Sequence, residues 1–336
     1  MTSSVGFVKS RKMKEKEIRP KKIFDKFLNL SSSDIKKFFN KKKAKINCVA
    51  CGKEGKFSFK KHNFSYCECP NCKTLFVNPR PKEEAFLNYY TKSSSIKFLA
   101  NTFYRKTEVS RRKEIWATKA KMVFEILKNK KIKNCSCIDI GGGYGIFAEE
   151  ILKLKKKDVV IIEPSPFMAK ECRKKKLTVV QKFLESVSKQ DLPKKKKFFT
   201  CFELIEHLHN PSKFVKNVGK LMNKEDLFMF TTLSSTGVDI QLLWNNSRSV
   251  SPPHHINFFN PKSIAIFLKK HKFKVLNIST PGRIDIDILD NDKLLIKDRF
   301  WKTFLMLASK NDKAKMQNLI SNLNFSSHMM VICKKL

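Results

Sequence analysis

The sequence predicts an α/β fold built on a Rossmann-like, mostly parallel sheet. From about residue 135 onward, apolar segments of strand length alternate with helical segments, as in a doubly wound sheet. The first strand runs into clustered glycines in CIDIGGGYGIFAEEI, residues 137–151, and the second, DVVIIEP, residues 158–164, carries an acid near its end. Strand, glycine turn and helix in this order predict a nucleotide-type cofactor site at the carboxyl edge of the sheet.

The remaining elements follow in order along the chain. A third strand, a strand-to-helix segment, a fifth strand and two last strands are predicted at residues 177–180, 197–211, 227–232, 273–280 and 328–333. A helix is expected over 261–270, and residues 281–325 separate the last two strands.

Four regions are expected in the 336-residue chain. Residues 1–47 form a basic N-terminal helical segment with an amphipathic stretch over 23–39. A cysteine-rich unit follows at 48–82, and a helical connector or lid at 83–130. Residues 131–336 form the Rossmann-like domain.

The glycine spacing bears on the choice of cofactor. Gly141, Gly142, Gly143 and Gly145 allow backbone conformations closed to other residues and let a ligand approach the main chain. A dinucleotide fingerprint requires G-x-G-x-x-G, but Ile146 stands where the third glycine would fall. A shifted G-x-G-x-x-A frame starts two residues too late after the strand, so NAD is the second choice.

Three motifs in sequence resemble the class I S-adenosylmethionine-dependent methyltransferases. They are Asp139-Ile-Gly-Gly-Gly-Tyr-Gly145, the acid Glu163, and Phe202-Glu-Leu-Ile-Glu-His-Leu208 closed by Asn210-Pro211. The resemblance covers roughly residues 135–280 and is strongest to the branch of the ubiquinone-biosynthesis O-methyltransferases. It implies a seven-stranded sheet closed by an antiparallel pair of last strands, with an insertion at about 281–325.

The same resemblance implies S-adenosylmethionine as the cofactor and a set of residues that bind it. Asp139 and the loop amides would hold the methionyl end, Glu163 the ribose, and Phe183, Leu184 and Phe202 the adenine. The full expected set is Asp139, Gly141, Gly142, Gly143, Tyr144, Gly145, Glu163, Phe183, Leu184, Phe202 and Glu203.

Two C-x-x-C pairs upstream predict a zinc ribbon. They lie 17 residues apart, each on a tight knuckle, so that four thiolates can surround one Zn²⁺: Cys48, Cys51, Cys69 and Cys72. Cys67 is a spare thiol. Because four thiolates leave no open coordination position, the zinc is expected to be structural. The alternative is a ribbon of free thiols that has lost its metal.

The loop SVSPPHHINFFNP, residues 249–261, supplies the catalytic candidates. It follows the fifth strand at the carboxyl edge, and His254 or His255 could act as a general base toward the methyl acceptor. The alternative is that the paired histidines hold the loop through hydrogen bonds.

A second cation site is a further hypothesis. Glu203, Glu206 and His207 have the i, i+3, i+4 spacing of one helical face, and the matching positions in ubiquinone O-methyltransferases are linked with a divalent cation. The competing interpretation is that Glu206 and His207 cap and orient a helix beside the cofactor.

A formal charge of +40 would ordinarily suggest nucleic acid. Only ten of the 70 basic residues are Arg, and the lysines are spread throughout, which favours a solvated basic surface over a nucleic-acid site. That surface would attract an anionic acceptor. No apolar run is long enough to span a membrane, and no secretory h-region begins the chain, so the sequence favours a cytoplasmic protein without membrane insertion.

The sequence therefore predicts a methyltransferase that acts on a small molecule. The stretch LFVNPRP after the second cysteine pair resembles the tail of zinc ribbons fused to some class I methyltransferases, including sugar-modifying ones. This resemblance implies, as the first expectation, a sugar nucleotide or a lipid-linked sugar of surface polysaccharide synthesis, and the ubiquinone-like motifs imply a quinone or phenol as the alternative. An RNA methyltransferase with a nucleic-acid-binding ribbon is the third alternative. Phe202-Glu203-Leu204 stands where amino-methylating nucleic-acid enzymes carry an Asn-Pro-Pro-Tyr or Asp-Pro-Pro-Tyr tetrad, which favours small-molecule chemistry.

Overall fold

A computed structural model of the chain describes residues 13–40, 43–132, 134–155 and 158–336. Residues 1–12 of the predicted basic N-terminal segment, and 41–42 near its end, lie outside the described residues.

Fourteen α-helices occur in the described part of the chain: α1 Glu15–Ile18, α2 Lys21–Phe38, α3 Glu83–Lys92, α4 Ser94–Phe98, α5 Arg105–Arg111, α6 Ala117–Asn129, α7 Ile146–Lys155, α8 Pro166–Lys174, α9 Pro211–Leu221, α10 Val238–Leu243, α11 Pro261–Lys270, α12 Asp285–Asn291, α13 Arg299–Leu307 and α14 Lys310–Asn322. The strands found there are β1 Lys43–Ala44, β2 Lys56–Lys61, β3 Phe64–Glu68, β4 Leu75–Val77, β5 Arg80–Pro81, β6 Cys135–Ile140, β7 Val159–Ile162, β8 Thr178–Val180, β9 Lys196–Phe202, β10 Leu227–Leu233, β11 Asn257–Phe258, β12 Phe273–Ser279 and β13 His328–Lys335.

Seven strands form the central sheet, in the order β12-β13-β10-β9-β6-β7-β8. Neighbours from β8 to β10 run parallel, whereas β13 is antiparallel to both β10 and β12. This confirms the predicted seven-stranded sheet and its antiparallel last pair. The strand order reverses between β6 and β9, and open α/β sheets bind ligands beyond the carboxyl ends of the strands at such a point.

Helices cover both faces of the sheet. All six residues of β6 are buried, as expected of a strand covered on both sides. On one face, Val123 of α6 and Phe147 of α7 pack in a common core with alternate strand residues. On the other face, Val218 of α9 and Phe267 of α11 do the same.

The cysteine-rich unit shares its sheet and its core with the larger domain. Strands β2, β3 and β4 form an antiparallel sheet whose fourth strand is β11, from the segment after β10. Val250, Ile256 and Phe258 pack with ribbon side chains such as Phe64 and Tyr66. The predicted loop at 249–261 thus contains the short strand β11, which closes the ribbon sheet, and its apolar side chains are buried there.

The connector and the insertion are helical. Residues 94–129 form one continuous helical segment in which α4, α5 and α6 are separated by π-helical turns at Leu99–Tyr104 and Arg112–Trp116. Helices α12, α13 and α14 lie between β12 and β13 and pack around their own apolar cluster, which includes Ile288, Leu305 and Ile320. None of the helices in the described ranges is long and apolar enough to cross a membrane.

Candidate active site and cysteine cluster

The glycine loop follows β6 at the point where the strand order reverses. Gly141, Gly143 and Gly145 have φ values of 71°, 54° and 72°, which glycine adopts at no steric cost. A Cβ on Gly142 would lie 2.8 Å from a carboxylate oxygen of Asp139, whereas the space in front of Gly143 is open. The loop therefore packs tightly against the strand on one side and leaves the Gly143 backbone accessible on the other.

Two buried carboxyl groups flank this loop. Glu163 accepts hydrogen bonds from the backbone N–H of Gly143, at 3.0 Å, and of Ser165, at 2.9 Å. Asp139 accepts one from the Thr200 hydroxyl at 3.0 Å. Burial raises the pKa of Asp139 to about 7 and also raises that of Glu163. Both groups lie where a cofactor with ribose hydroxyls and a cationic amino group could meet them.

The residues expected to hold the adenine are separated by the sheet. Phe183 is 58% exposed directly after β8, and Leu184 packs on the α9 face. Phe202 lies in the core on the opposite face, with its ring 4.7 Å from that of Phe147. Leu184 and Phe202 thus pack in different cores, and a role for Phe202 beside the adenine stays a prediction. Tyr144, in the loop, donates its hydroxyl to the backbone oxygen of Ala100.

Glu203 is held in an ion cluster at the end of β9. The backbone at Glu203 is left-handed, with a φ of 51°, and therefore not helical. The prediction that Glu203 shares a helical face with Glu206 and His207 is wrong for this reason. One carboxylate oxygen lies 3.1 Å from Lys119 Nζ and 3.0 Å from His328 Nε2, and it also accepts the Thr231 hydroxyl. Burial opposes ionisation here, but Lys119 and His328 keep the pKa of Glu203 well below its usual range.

A different trio meets beside this cluster. Ligand atoms of Glu206, His207 and His255 all lie within 4.8 Å of one another, and Ile205–His207 form a short 3₁₀ turn. The Thr232 hydroxyl donates to one oxygen of Glu206, and the other oxygen has no hydrogen-bond partner among the described residues. Burial and the charge of Glu203 raise the pKa of Glu206. His255 thus takes the place that the sequence hypothesis gave to Glu203.

The histidines of the loop are buried and engaged. His254 Nε2 lies 2.7 Å from the Tyr89 hydroxyl, and His255 Nδ1 lies 2.6 Å from the backbone oxygen of Ser249. His207 Nδ1 is 3.0 Å from the backbone oxygen of His254. Burial lowers the pKa of His255 to about 3 and that of His207 to about 4, so both rings are neutral near pH 7. His207 and His255 can therefore each present Nε2 to the space beside Glu206.

The ribbon contacts this histidine loop directly. The Tyr66 hydroxyl donates to the backbone oxygen of His255 at 2.7 Å. Arg80, which is 2% exposed, donates to the backbone oxygen of His209 and to the side chain of Asn257, both at 2.7 Å. Sequence reasoning missed Tyr66 and Arg80, together with Tyr89, Lys119 and His328, because no local pattern marks a contact between distant segments.

The four predicted cysteines converge in the ribbon. Their sulfur atoms all lie within 4.8 Å of one another, with separations of 3.6 Å between Cys48 and Cys72 and 3.4 Å between Cys51 and Cys69. Tetrahedral Zn²⁺ with bonds of about 2.3 Å requires sulfur separations of about 3.8 Å, so the cluster fits zinc closely. Cys67 lies outside the cluster, with its sulfur 3.6 Å from the backbone oxygen of Asn78.

The sheet order, the glycine loop and the carboxylates beside it define a class I S-adenosylmethionine-dependent methyltransferase. A family model described as a methyltransferase domain matches residues 108–278, half of the chain. The chain belongs to this methyltransferase family, and the resemblance predicted from the sequence is confirmed.

Known proteins of this kind resemble the chain at low identity. The ubiquinone biosynthesis O-methyltransferase of Pelagibacter ubique (strain HTCC1062) is 27% identical over 187 residues, which cover 51% of this chain and 73% of that protein. Among solved structures, the plantazolicin methyltransferase BamL has a TM-score of 0.49 at 12% identity, covering 74% of this chain and 94% of its own. An S-adenosylmethionine-dependent methyltransferase from Clostridium acetobutylicum ATCC 824 has a TM-score of 0.44 at 11% identity, covering 70% and 99%.

Proposed function

We propose that the chain transfers the methyl group of S-adenosylmethionine to an oxygen of a small phenolic or quinol acceptor. The bound cofactor supplies an electrophilic methyl group, and the protein mainly aligns the acceptor oxygen with it. The observation that carries the cofactor assignment is the Gly143–Glu163 pair, in which the loop amide donates to the buried carboxylate and the space in front of Gly143 is open.

The proposed cofactor site, which we call the cradle, consists of Asp139, the glycine loop at 141–145 and Glu163. These residues have separate roles in the proposal. Glu163 would accept hydrogen bonds from the two ribose hydroxyls, and the Gly143 amide would be released toward the ligand. Asp139 and the loop amides would hold the methionyl end, where the carboxylate is matched to a cationic amino group. Phe183 would cover one side of the adenine.

The choice of acceptor rests on the curated relative. Its printed name describes O-methylation in ubiquinone biosynthesis, and the match spans 73% of its length. No comparison supports the sugar nucleotide or lipid-linked sugar that the fused ribbon suggested, nor an anionic acceptor. The phenolic alternative is therefore the one that we retain.

We further propose that Glu206, His207 and His255 hold a divalent cation next to the acceptor oxygen. A carboxylate oxygen that has no hydrogen-bond partner in the described part of the chain and two neutral imidazoles form a suitable donor set. A bound cation would favour the ionised form of an acceptor hydroxyl, and His254 would then only hold the loop. Glu206→Gln should lower turnover without changing cofactor affinity, and it should remove any dependence of turnover on added Mg²⁺ or Mn²⁺ while leaving the zinc of the cysteine cluster in place.

Isothermal titration of the full chain tests the cofactor. We expect saturable binding of S-adenosylmethionine and S-adenosylhomocysteine and no comparable binding of NAD. Transfer of a labelled methyl group should then be measured with catechols and hydroquinones, and with sugar nucleotides and RNA as competitors. Preferential binding of NAD would contradict the methyltransferase assignment, and transfer to a sugar or RNA alone would contradict the acceptor.

A further inference from the structure

The insertion between β12 and β13 exposes an unusual amount of apolar side chain. Fifteen large apolar side chains are exposed in the described part of the chain, and eight of them lie within residues 294–325. Five belong to one short stretch that we call the insertion surface: Leu294, Leu295, Phe300, Met306 and Leu307. Exposure ranges from 46% for Leu295 to 91% for Leu294. Concentrated exposure of this kind marks an interaction site on a soluble domain.

Helix α13 shows that this exposure is not a by-product of core packing. Trp301 and Leu305 point toward the apolar cluster of the insertion, where Leu305 is fully buried. Phe304, one turn before the end of the helix, also packs partly against this cluster. Phe300 and Leu307 lie seven residues apart and are 64% and 78% exposed. Helix α13 therefore carries apolar side chains that no other described segment covers.

The stretch that carries the insertion surface is positively charged. Residues 293–307 carry four basic side chains and one acidic side chain, a net charge of +3. Three of the four basic residues are lysines. Lys293, Lys297 and Lys302 flank the exposed apolar residues and make no ion pair within the described ranges. Apolar side chains bordered by lysines are typical of helices that lie in the interface of an anionic membrane.

We propose that the insertion surface docks on an anionic lipid bilayer, with the apolar side chains entering the headgroup region and the lysines contacting lipid phosphates. This goes beyond the proposed methyl transfer and does not depend on it. A second copy of the chain is a poorer occupant, because two surfaces of charge +3 would repel each other. A protein partner is also less well matched, since protein interfaces are depleted in lysine and enriched in arginine.

Co-sedimentation of the full chain with vesicles tests this proposal. Vesicles of phosphatidylcholine alone should be compared with vesicles that also contain phosphatidylglycerol, at low and at high salt. The overall charge of +40 would by itself produce binding that salt abolishes. The proposal requires an additional, salt-resistant component on anionic vesicles that comes from apolar insertion.

The deciding variant is Phe300→Ser combined with Leu307→Ser, and the matched control is Phe57→Ser in the ribbon. Phe57 is 67% exposed, almost the same as Phe300, but lies in a different region. We expect the double variant to lose at least about tenfold in salt-resistant vesicle affinity, because two buried side chains contribute that much or more. The control should bind like the unmodified chain.

Three outcomes would overturn the proposal. The first is that high salt abolishes all vesicle binding of the unmodified chain. The second is that the Phe57 control loses as much salt-resistant vesicle affinity as the double variant, and the third is that the double variant binds vesicles as the unmodified chain does. A dimer in light scattering that the double variant dissociates would instead assign the surface to a second copy. Urea unfolding verifies that the variants are folded. Leu294→Ser provides the same test at the most exposed position if the double variant is not folded.

Discussion

The cofactor cradle and the histidine cluster, which consists of His207, His254 and His255, lie at the same edge of the sheet. The contacts that build them span very different distances along the chain. Gly143 and Glu163, the partners in the cradle, are 20 residues apart. Tyr66 and His255 are 189 residues apart, and Tyr89 and His254 are 165 apart. The cradle is thus built from one strand–loop–helix–strand unit, whereas the histidine cluster depends on the ribbon and the connector. Changes to distant segments should affect the two regions unequally.

The largest expected effect on stability follows from the loss of zinc. Cys69→Ser should release the metal and lower the free energy of unfolding by several kcal/mol, because metal binding in such sites is coupled to folding. The ribbon is not an isolated unit, because β4 pairs with β11 and the ribbon shares a core with the larger domain. We therefore expect backbone hydrogen exchange to increase at residues 249–261 as well as in the ribbon.

Cys67→Ser is the matched control, since this thiol lies in the same sheet but outside the cluster. It should retain about one zinc per chain in elemental analysis. If Cys69→Ser left protection at 249–261 unchanged, the ribbon would be an independent unit and the comparison between the two regions would fail.

The same contrast explains what the sequence could and could not predict. Clustered glycines, an acid near the end of the next strand and paired cysteines each act through near neighbours, so their spacing alone identified the cradle and the cysteine cluster. Lys119 and His328 meet at Glu203 from segments 84 and 125 residues away, and no local pattern marks them.

One local prediction was wrong for a local reason. Glu203, Glu206 and His207 have helical spacing, but the chain takes a left-handed conformation at Glu203 and then only a 3₁₀ turn. Glu203 is consequently drawn toward Lys119, and His255 from another loop completes the trio. Spacing predicts a shared face only where the helix forms.

The second prediction sharpens the assignment of the cradle. Glu163→Ala should weaken binding of S-adenosylhomocysteine by about 1.5–3 kcal/mol, roughly 10- to 150-fold, because hydrogen bonds to a charged acceptor are lost. Isothermal titration measures this directly. Glu171→Ala is a suitable control, because Glu171 lies on α8 and, among the described residues, its ion pair is with Lys174 at the surface. An unchanged affinity in the Glu163 variant would place the ribose elsewhere.

The third prediction is a pH dependence of cofactor affinity. Burial raises the pKa of Asp139 to about 7, so this carboxyl group holds a proton at lower pH. A ligand with a cationic amino group prefers the ionised form, and its affinity should fall as the pH drops below about 7. The loss can reach about tenfold, or 1.4 kcal/mol, per pH unit.

Titrations between mildly acidic and mildly basic pH check this prediction, with Asp139→Asn as the control. The variant should bind more weakly above the pKa and should lose most of the pH dependence. Equal pH dependence in the variant and the unmodified chain would remove Asp139 from the methionyl site.

The smallest effect is expected where the connector meets the histidine loop. Tyr89→Phe removes the hydroxyl that lies 2.7 Å from His254 Nε2 and 2.9 Å from Ser95, and should lower the free energy of unfolding by about 1 kcal/mol. Tyr90→Phe is the matched control, because the Tyr90 hydroxyl is buried without a partner among the described residues. Urea unfolding should therefore show a lower midpoint for the first variant and little change for the second.

If turnover also falls in Tyr89→Phe while cofactor affinity stays constant, the connector positions the acceptor side of the site. Equal effects of the two substitutions would show that the Tyr89–His254 bond adds nothing beyond packing.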